Sequence, residues 1–249
     1  MKTTKLIIAG SLLIGIVTMA FTNSNIQPTP QKGEIGDQFI PRNPKKDHLL
    51  TSENSVLLVI DWQDEMLGMV RNIDKDILTN NIQAIIKTAN VFDIPVIEST
   101  IGVNLGANKP TVPSIKQEIE SNVQNIDRIS LNAWQNREVL EAVKKTGRKK
   151  IIMTGLWTSG CPTYTTLDAL NDGYEVYILA DAMGDATTDA HNRAIDRMVQ
   201  AGAIPFTWEG AGAEILRSYI HPKAMQDDKI EGGFVGIMKE HFYPFAGKY

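Results

Sequence analysis

The sequence predicts an α/β fold, a three-layer α/β/α sandwich around a central parallel sheet, and three observations carry that prediction. Short apolar runs alternate with segments of helical spacing, the signature of βαβ units joined by right-handed crossovers. The runs Val56-Leu57-Leu58-Val59-Ile60 and Ile151-Ile152-Met153 are apolar at every position, as strands covered on both faces are. Gly147, Gly173 and Gly202 stand just past helical segments, where a C-cap is expected.

In chain order, the first strand is the apolar run 55–60, which stops at Asp61. Helical spacing over 76–92 makes the first crossover. The second strand, 95–100, opens on a proline, which a strand tolerates at its first residue. A short helical pattern at 114–121 leads to a third strand at 125–130. The helix 137–146 closes at Gly147, and the second wholly apolar strand, 150–154, is ended by Thr154-Gly155. After a short polar turn, Tyr164, Leu167 and Leu170 set helical spacing over 164–172. A fifth strand at 175–180, a helix at 188–201 and a sixth strand at 204–208 complete the alternation. No internal repeat is present.

The chain has 249 residues, enough for one α/β domain with a substantial core plus extensions. Lys2 and Lys5 precede an apolar run from Leu6 to Phe21, so residues 1–21 read as a signal peptide and imply export to a periplasm or the exterior. The run falls a little short of the ~20 residues of a membrane span, so no stable span is expected after processing; the alternative is an uncleaved N-terminal anchor. Residues 22–46, rich in Pro, Asn, Gln and Gly, read as a linker, 47–219 as the domain, and 220–249 as a C-terminal extension. Phe234, Phe242, Tyr243, Phe245 and Tyr249 suggest that this extension docks on the domain or on a neighbouring subunit. A net charge of -4 without a basic cluster gives no footprint for nucleic acid.

Chemistry centres on the single cysteine, Cys161. It lies in a strand-to-helix turn, where N–H groups converge and the helix dipole favours an anion. That environment suits a thiolate nucleophile, although a free cysteine also packs as a small core residue. One cysteine permits no intrachain disulfide. In an open parallel sheet, ligands bind beyond the carboxyl ends of the strands, and the polar residues there are Asp61, Arg128, Cys161 and Asp181. An acid, a cation and a thiol on one rim are the parts of nucleophilic catalysis. Asp181 fits a turn or cap better than catalysis. His48, His191, His221 and His241 show no paired-ligand spacing, so no metal and no cofactor are expected. His191 sits on its helix without an evident partner. No phosphate-binding glycine loop and no G-x-S-x-G elbow occurs.

Several segments together resemble the isochorismatase-like cysteine hydrolases, nearest to the YcaC-like branch. They are LLVIDWQDEML (57–67), DRISLNAWQN (127–136), IIMTGLWTSGC (151–161), TTLDALNDGYEVYILADAMGD (165–185) and DAHNRAIDRMVQAGAIPFTWEG (189–210). The resemblance spans about 55–216. It implies a catalytic triad in which Cys161 is the nucleophile and Asp61 the acid. The basic member is Arg128 where the wider family has Lys, as in the YcaC-like branch. It further implies a cis Leu156–Trp157 bond and an oxyanion hole built from the amides of Trp157 and Cys161. The nicotinamidase-type metal site is missing, because no acid-plus-histidine cluster follows Asp61.

Among other residues, Gln63 is expected to orient Asp61, line the pocket or start a helix. Trp62, Asn132 and Trp134 are pocket candidates with a structural role as the alternative. Trp157 would narrow the entrance in favour of a small or flat substrate. The expected activity is metal-independent hydrolysis of a C–N bond in a small amide through a Cys161 thioester, by a protein that self-associates. The alternatives are a catalytically silent binding or scaffold protein, and a thiol redox protein, for which the chain lacks a resolving cysteine. The helix N-terminus and Arg128 are expected to outweigh Asp61, so that Cys161 alkylates readily somewhat below neutral pH.

Overall fold

The structure, a computed structural model, describes residues 42–242 and 244. Residues 1–41, which hold the segment read as a signal peptide and most of the one read as a linker, lie outside the described residues, as do Tyr243, Phe245 and Tyr249. The elements are β1 (Ser55–Ile60), α1 (Asp64–Met69), α2 (Lys75–Val91), β2 (Val96–Ile101), α3 (Pro113–Lys116), β3 (Asn125–Arg128), a 3₁₀ turn (Ala133–Gln135), α4 (Arg137–Lys145), β4 (Lys150–Leu156), α5 (Cys161–Asn171), β5 (Glu175–Gly184), α6 (Thr188–Gln200), β6 (Ile204–Phe206), α7 (Trp208–Leu216) and α8 (Gly233–Ile237). The six strands pair in parallel in the order β3-β2-β1-β4-β5-β6. This is the expected α/β/α sandwich. The strand order reverses between β1 and β4, the place at whose carboxyl ends open α/β sheets bind their ligands.

The apolar runs are explained by what covers them. Along β1, Leu57 and Val59 enter a core with Leu78, Ile82 and Ile85 of α2, whereas Val56, Leu58 and Ile60 enter a second core with Val139 and Val143 of α4. Successive side chains point to opposite faces, and both faces are dry. Side-chain caps start the helices: Asp74 accepts from the N–H of Asp76 and Ile77 before α2, and Thr187 from that of Ala190 before α6.

Several boundaries differ from expectation. The pattern at 114–121 yields only the single turn α3, and the third strand stops at Arg128 rather than residue 130. The fifth strand runs on to Gly184. The sixth ends at Phe206, because Thr207 caps a helix, its side chain accepting from Gly210 N–H, and Trp208 opens α7. The described part of the extension packs on its own domain. Phe234 lies 6.0 Å from the Phe92 ring and Phe242 6.3 Å from Trp208. Buried His241 accepts from Lys87 at Nε2 (3.0 Å), which leaves its Nδ1–H for Asn80 Oδ1 (2.8 Å).

Asp181 is neither in a turn nor an N-cap: it lies within β5, and both its carboxylate oxygens accept from the N–H of Trp208, the first residue of α7, at 3.0 and 3.3 Å. Burial pushes its carboxyl up to about 7. Between the ordinary Asp value of ~3.9 and about 7, the folded state binds more protons than the unfolded one, so stability falls as pH rises through that window. Asp181→Asn keeps an acceptor and removes the titration. Its unfolding midpoint is expected to decline less between pH 5 and pH 8 than that of the wild type; parallel declines would sink the assignment.

Candidate active site

Three strand ends deliver the chemistry. Asp61 follows β1 with φ 58°, a left-handed conformation that Asp tolerates better than most residues and that often marks functional positions. Its N–H donates to Ser99 O (2.9 Å). Arg128 ends β3, and its Nη2 donates to Asp61 Oδ2 at 2.6 Å while Nη1 donates to Ser130 O at 3.0 Å. Both side chains are 0 % exposed. A buried ion pair of this kind carries a desolvation penalty of several kcal/mol per ion, which attraction offsets only in good geometry. Asp61 Oδ1 and Arg128 Nε have no partner at ordinary hydrogen-bond geometry.

Cys161 is the first residue of α5 and only 7 % exposed. Gly155, paired with Ile60 across the sheet, lets the end of β4 press against β1 and the start of α5. A Cβ there would lie 2.7 Å from Ile60 O and 3.1 Å from Pro162 Cγ, and its φ is 153°. The thiol lies near enough to Asp61 and Arg128 for their charges to act on it. The Leu156–Trp157 bond is cis. Among the described residues no turn or loop acceptor engages the N–H of Trp157 or of Cys161, and the latter is one of the first-turn donors of α5 that lack an intrahelical partner.

The electrostatics correct the expectation of a readily ionised thiol. Burial, and next the charge of Asp61, push Cys161 up to about 12, with Arg128 opposing. Burial also raises Asp61, again against Arg128. Because Arg stays charged at any accessible pH, a protonated Asp61 would strand a buried cation. The resting site is therefore a thiol beside a carboxylate–guanidinium pair, and the Cys161–Asp61 pair titrates as a unit.

Other candidates take different places. Of the three readings of Gln63 the helix start holds: it is the N-cap residue of α1, while its Oε1 accepts from Ile101 N–H (3.0 Å) and its Nε2 donates to Ile101 O (3.2 Å) and Lys109 O (2.7 Å), tying the loop after β2 and presenting no amide to Asp61. Trp62 is buried in the first core, with its indole N–H unpaired. Trp157 is half-buried and donates to Met66 O (2.8 Å). The segment at 132–134 clamps α5. Asn132 Nδ2 donates to Asp168 (2.7 Å), Ala133 N–H to Thr165 Oγ1 (3.0 Å), and the Trp134 indole to Asp172 (2.9 Å). Residues 165, 168 and 172 share one helix face. Asn132 also borders a shallow cavity of about 490 Å³ together with Leu131, Tyr164 and Leu167; Trp134 packs edge-on to Tyr174 at 5.0 Å and belongs to the core. Among the described residues, no three His, Cys, Asp or Glu side chains are grouped to hold a metal ion, and no helix is long and apolar enough to cross a membrane.

Comparison with known proteins agrees with this fold. The Isochorismatase domain matches residues 55–210. The probable hydrolase YcaC of Escherichia coli is 33% identical over 170 residues, covering 68% of this chain and 81% of that protein. The crystal structure of YcaC from Pseudomonas aeruginosa, with hexane-2,5-diol and covalent acrylamide, superposes with a TM-score of 0.73 at 31% identity, covering 81% of this chain and 95% of the other. The Escherichia coli YcaC structure, an octameric hydrolase of unknown specificity, gives 0.72 at 31% identity, covering 81% and 94%.

Proposed function

The chain belongs to the isochorismatase family, in its YcaC-like branch, and from that premise we propose that it is a metal-independent cysteine hydrolase cleaving a C–N bond of a small amide. The observation that carries this reading is the buried Asp61–Arg128 pair beside Cys161 at the point where strand order reverses. A thiol with so high a proton affinity ionises only as it attacks. Asp61 takes the Cys161 proton while sulfur bonds to the carbonyl carbon, and the amides of Trp157 and Cys161 receive the oxyanion. Collapse breaks the C–N bond, and the proton on Asp61 leaves with the amine. Water, deprotonated by Asp61, then cleaves the thioester, and that proton returns to sulfur. Arg128 cannot shuttle a proton; it holds Asp61 in its charged form. Vinyl-ether hydrolysis has no use for a thiol.

A screen of small amides with mass detection on Cys161 tests the reading. Turnover with a transient acyl adduct is expected. Saturable binding without turnover would favour the scaffold alternative, and sulfenic acid without an acyl adduct the redox alternative.

We propose in addition that the protein is exported and self-associates. Export rests on the charged start and apolar run before residue 22. Self-association rests on the octameric relative and on Leu105, Ile129 and Leu131, exposed on loops beyond β2 and β3. Protein recovered from the producing cells is expected to begin between residues 21 and 31 and to sediment well above a monomer. A cytosolic chain starting at Met1 would refute the first claim, and a monomer the second.

A further inference from the structure

The turn that presents Cys161 is braced from a side that the proposed chemistry does not use. Asp61 and Arg128 act on the thiol from the ends of β1 and β3, whereas the turn 157–160 is held by Gly184, which ends β5, and by Asp185, which follows it. Thr158 N–H donates to Gly184 O (2.9 Å), and Ser159 N–H donates to Asp185 Oδ2 (2.7 Å). Asp185 is itself pinned, its N–H donating to Asn72 Oδ1 (2.7 Å) and its Oδ1 accepting from Ala186 N–H (2.7 Å). The remaining link is between side chains: Thr158 Oγ1 and His191 Nδ1 lie 2.9 Å apart. Thr158 is fully buried and His191 is 9 % exposed. Thr163, on the first turn of α5, closes the circuit by donating to Thr158 O (2.6 Å).

We infer that His191 is a positioning residue of the active site, which through Thr158 fixes the turn that carries Cys161. The inference rests on the hydrolase reading for its catalytic consequence, but not for its geometry. Each backbone anchor of the turn holds one amide. The Thr158–His191 bond alone ties a side chain of the turn to α6, a helix that carries no reacting group. With that bond gone, whichever of Thr158 Oγ1 and His191 Nδ1 remains is left in a dry site without this partner, and the turn and α6 part to admit water. Cys161, three residues on, moves with it and leaves the carboxylate that must take its proton. Misplacement of a reacting atom by about 1 Å can cost about 10²-fold in rate. The charged group acting on His191 is Asp185, which belongs to the same brace.

The test uses the whole protein in five variants: Thr158→Val, Thr158→Ser, His191→Leu, His191→Asn and the double variant Thr158→Val/His191→Leu. Small-amide turnover and iodoacetamide alkylation of Cys161 are followed from pH 6 to pH 10. Thr158→Val and His191→Leu are each expected to lower turnover ~10–100-fold. The double variant is expected to lose no more than either, because both remove one bond. Thr158→Ser and His191→Asn, which keep a hydrogen-bonding atom in place, are expected to recover most of the loss. Alkylation moves the opposite way: a thiol released from its dry pocket ionises at lower pH, so both apolar variants alkylate faster than wild type at pH 8. An alkylation profile in both apolar variants identical to that of the wild type would overturn the inference whatever happens to turnover. So would equal behaviour of His191→Asn and His191→Leu, since ring volume and not the bond would then be responsible. If no amide is turned over by any form, the hydrolase reading fails and the alkylation profile alone decides the brace. Should His191→Leu fail to fold, Thr158→Val removes the same bond with almost no change of shape.

Discussion

Asp61→Asn is expected to separate the two reactivities of Cys161, raising its alkylation rate while abolishing hydrolysis. In the wild type the thiol faces a carboxylate in a dry site, and burial and the like charge together push it to about 12. Removing that charge leaves Arg128, buried and permanently cationic, without its ion-pair partner. The Cys161 thiolate is then the group placed to neutralise it. An adjacent charge moves a titration by ~1–3 units, and well below its pKa each unit lowered raises the thiolate fraction about tenfold. Iodoacetamide labelling at pH 7.5 is thus expected to rise by about tenfold or more, while amide turnover drops ~10²–10⁴-fold for want of a proton acceptor. Cys161→Ser is expected to end both. Unchanged labelling in Asp61→Asn would mean that the carboxylate does not control the thiol, and full activity in Cys161→Ser would return the cysteine to a packing role.

The legible and illegible parts of this molecule divide along physical lines. β1 and β4 were readable because both of their faces are dry, and that requirement is written locally as an unbroken apolar run. The helix α1 was legible only at its start, Gln63, since none of its six residues is buried and its body leaves no periodic trace. The helix α7 was not legible: it contains Gly210 and Gly212, poor helix formers. Gly212 has a long-range cause: a Cβ there would come within 2.3 Å of the Phe234 ring. The extension thus dictates a glycine that hides the helix it packs on.

The site divides in the same way. Asp61, Arg128 and Cys161 stand at or just past strand ends, and parallel topology gathers strand ends on one rim, so their meeting followed from the order of elements. The proton affinity of the thiol did not, because burial belongs to the packed molecule and not to the turn. Gln63 reads as a neighbour of Asp61, yet its partners lie 38 and 46 positions onward. His191 lacked a partner in the sequence for the same reason: Thr158 lies 33 positions before it, and only the packing of α6 beside the turn joins them.

Arg128 distinguishes charge from proton transfer, because its guanidinium never gives up a proton. Arg128→Met is expected to lose activity by two routes. It removes the cation that stabilises the charged site, and it leaves Asp61 alone in a dry position. Burial already raises Asp61 against the opposition of Arg128; without that opposition the carboxyl rises further and holds a proton at neutral pH. A protonated Asp61 cannot accept one from Cys161, so the base appears only above its raised pKa. The acidic limb of the pH–rate profile is therefore expected to move to higher pH, with turnover at pH 7 down ~10²-fold or more. Arg128→Lys keeps the cation but not the fork that serves Asp61 and Ser130 O together. It is expected to retain part of the activity, with the acidic limb near its wild-type position. The contrast between Lys and Met separates a residue that holds a carboxylate in its charged form from one that merely fills space, and equal rates and profiles in wild type and Arg128→Met would place Arg128 outside the site.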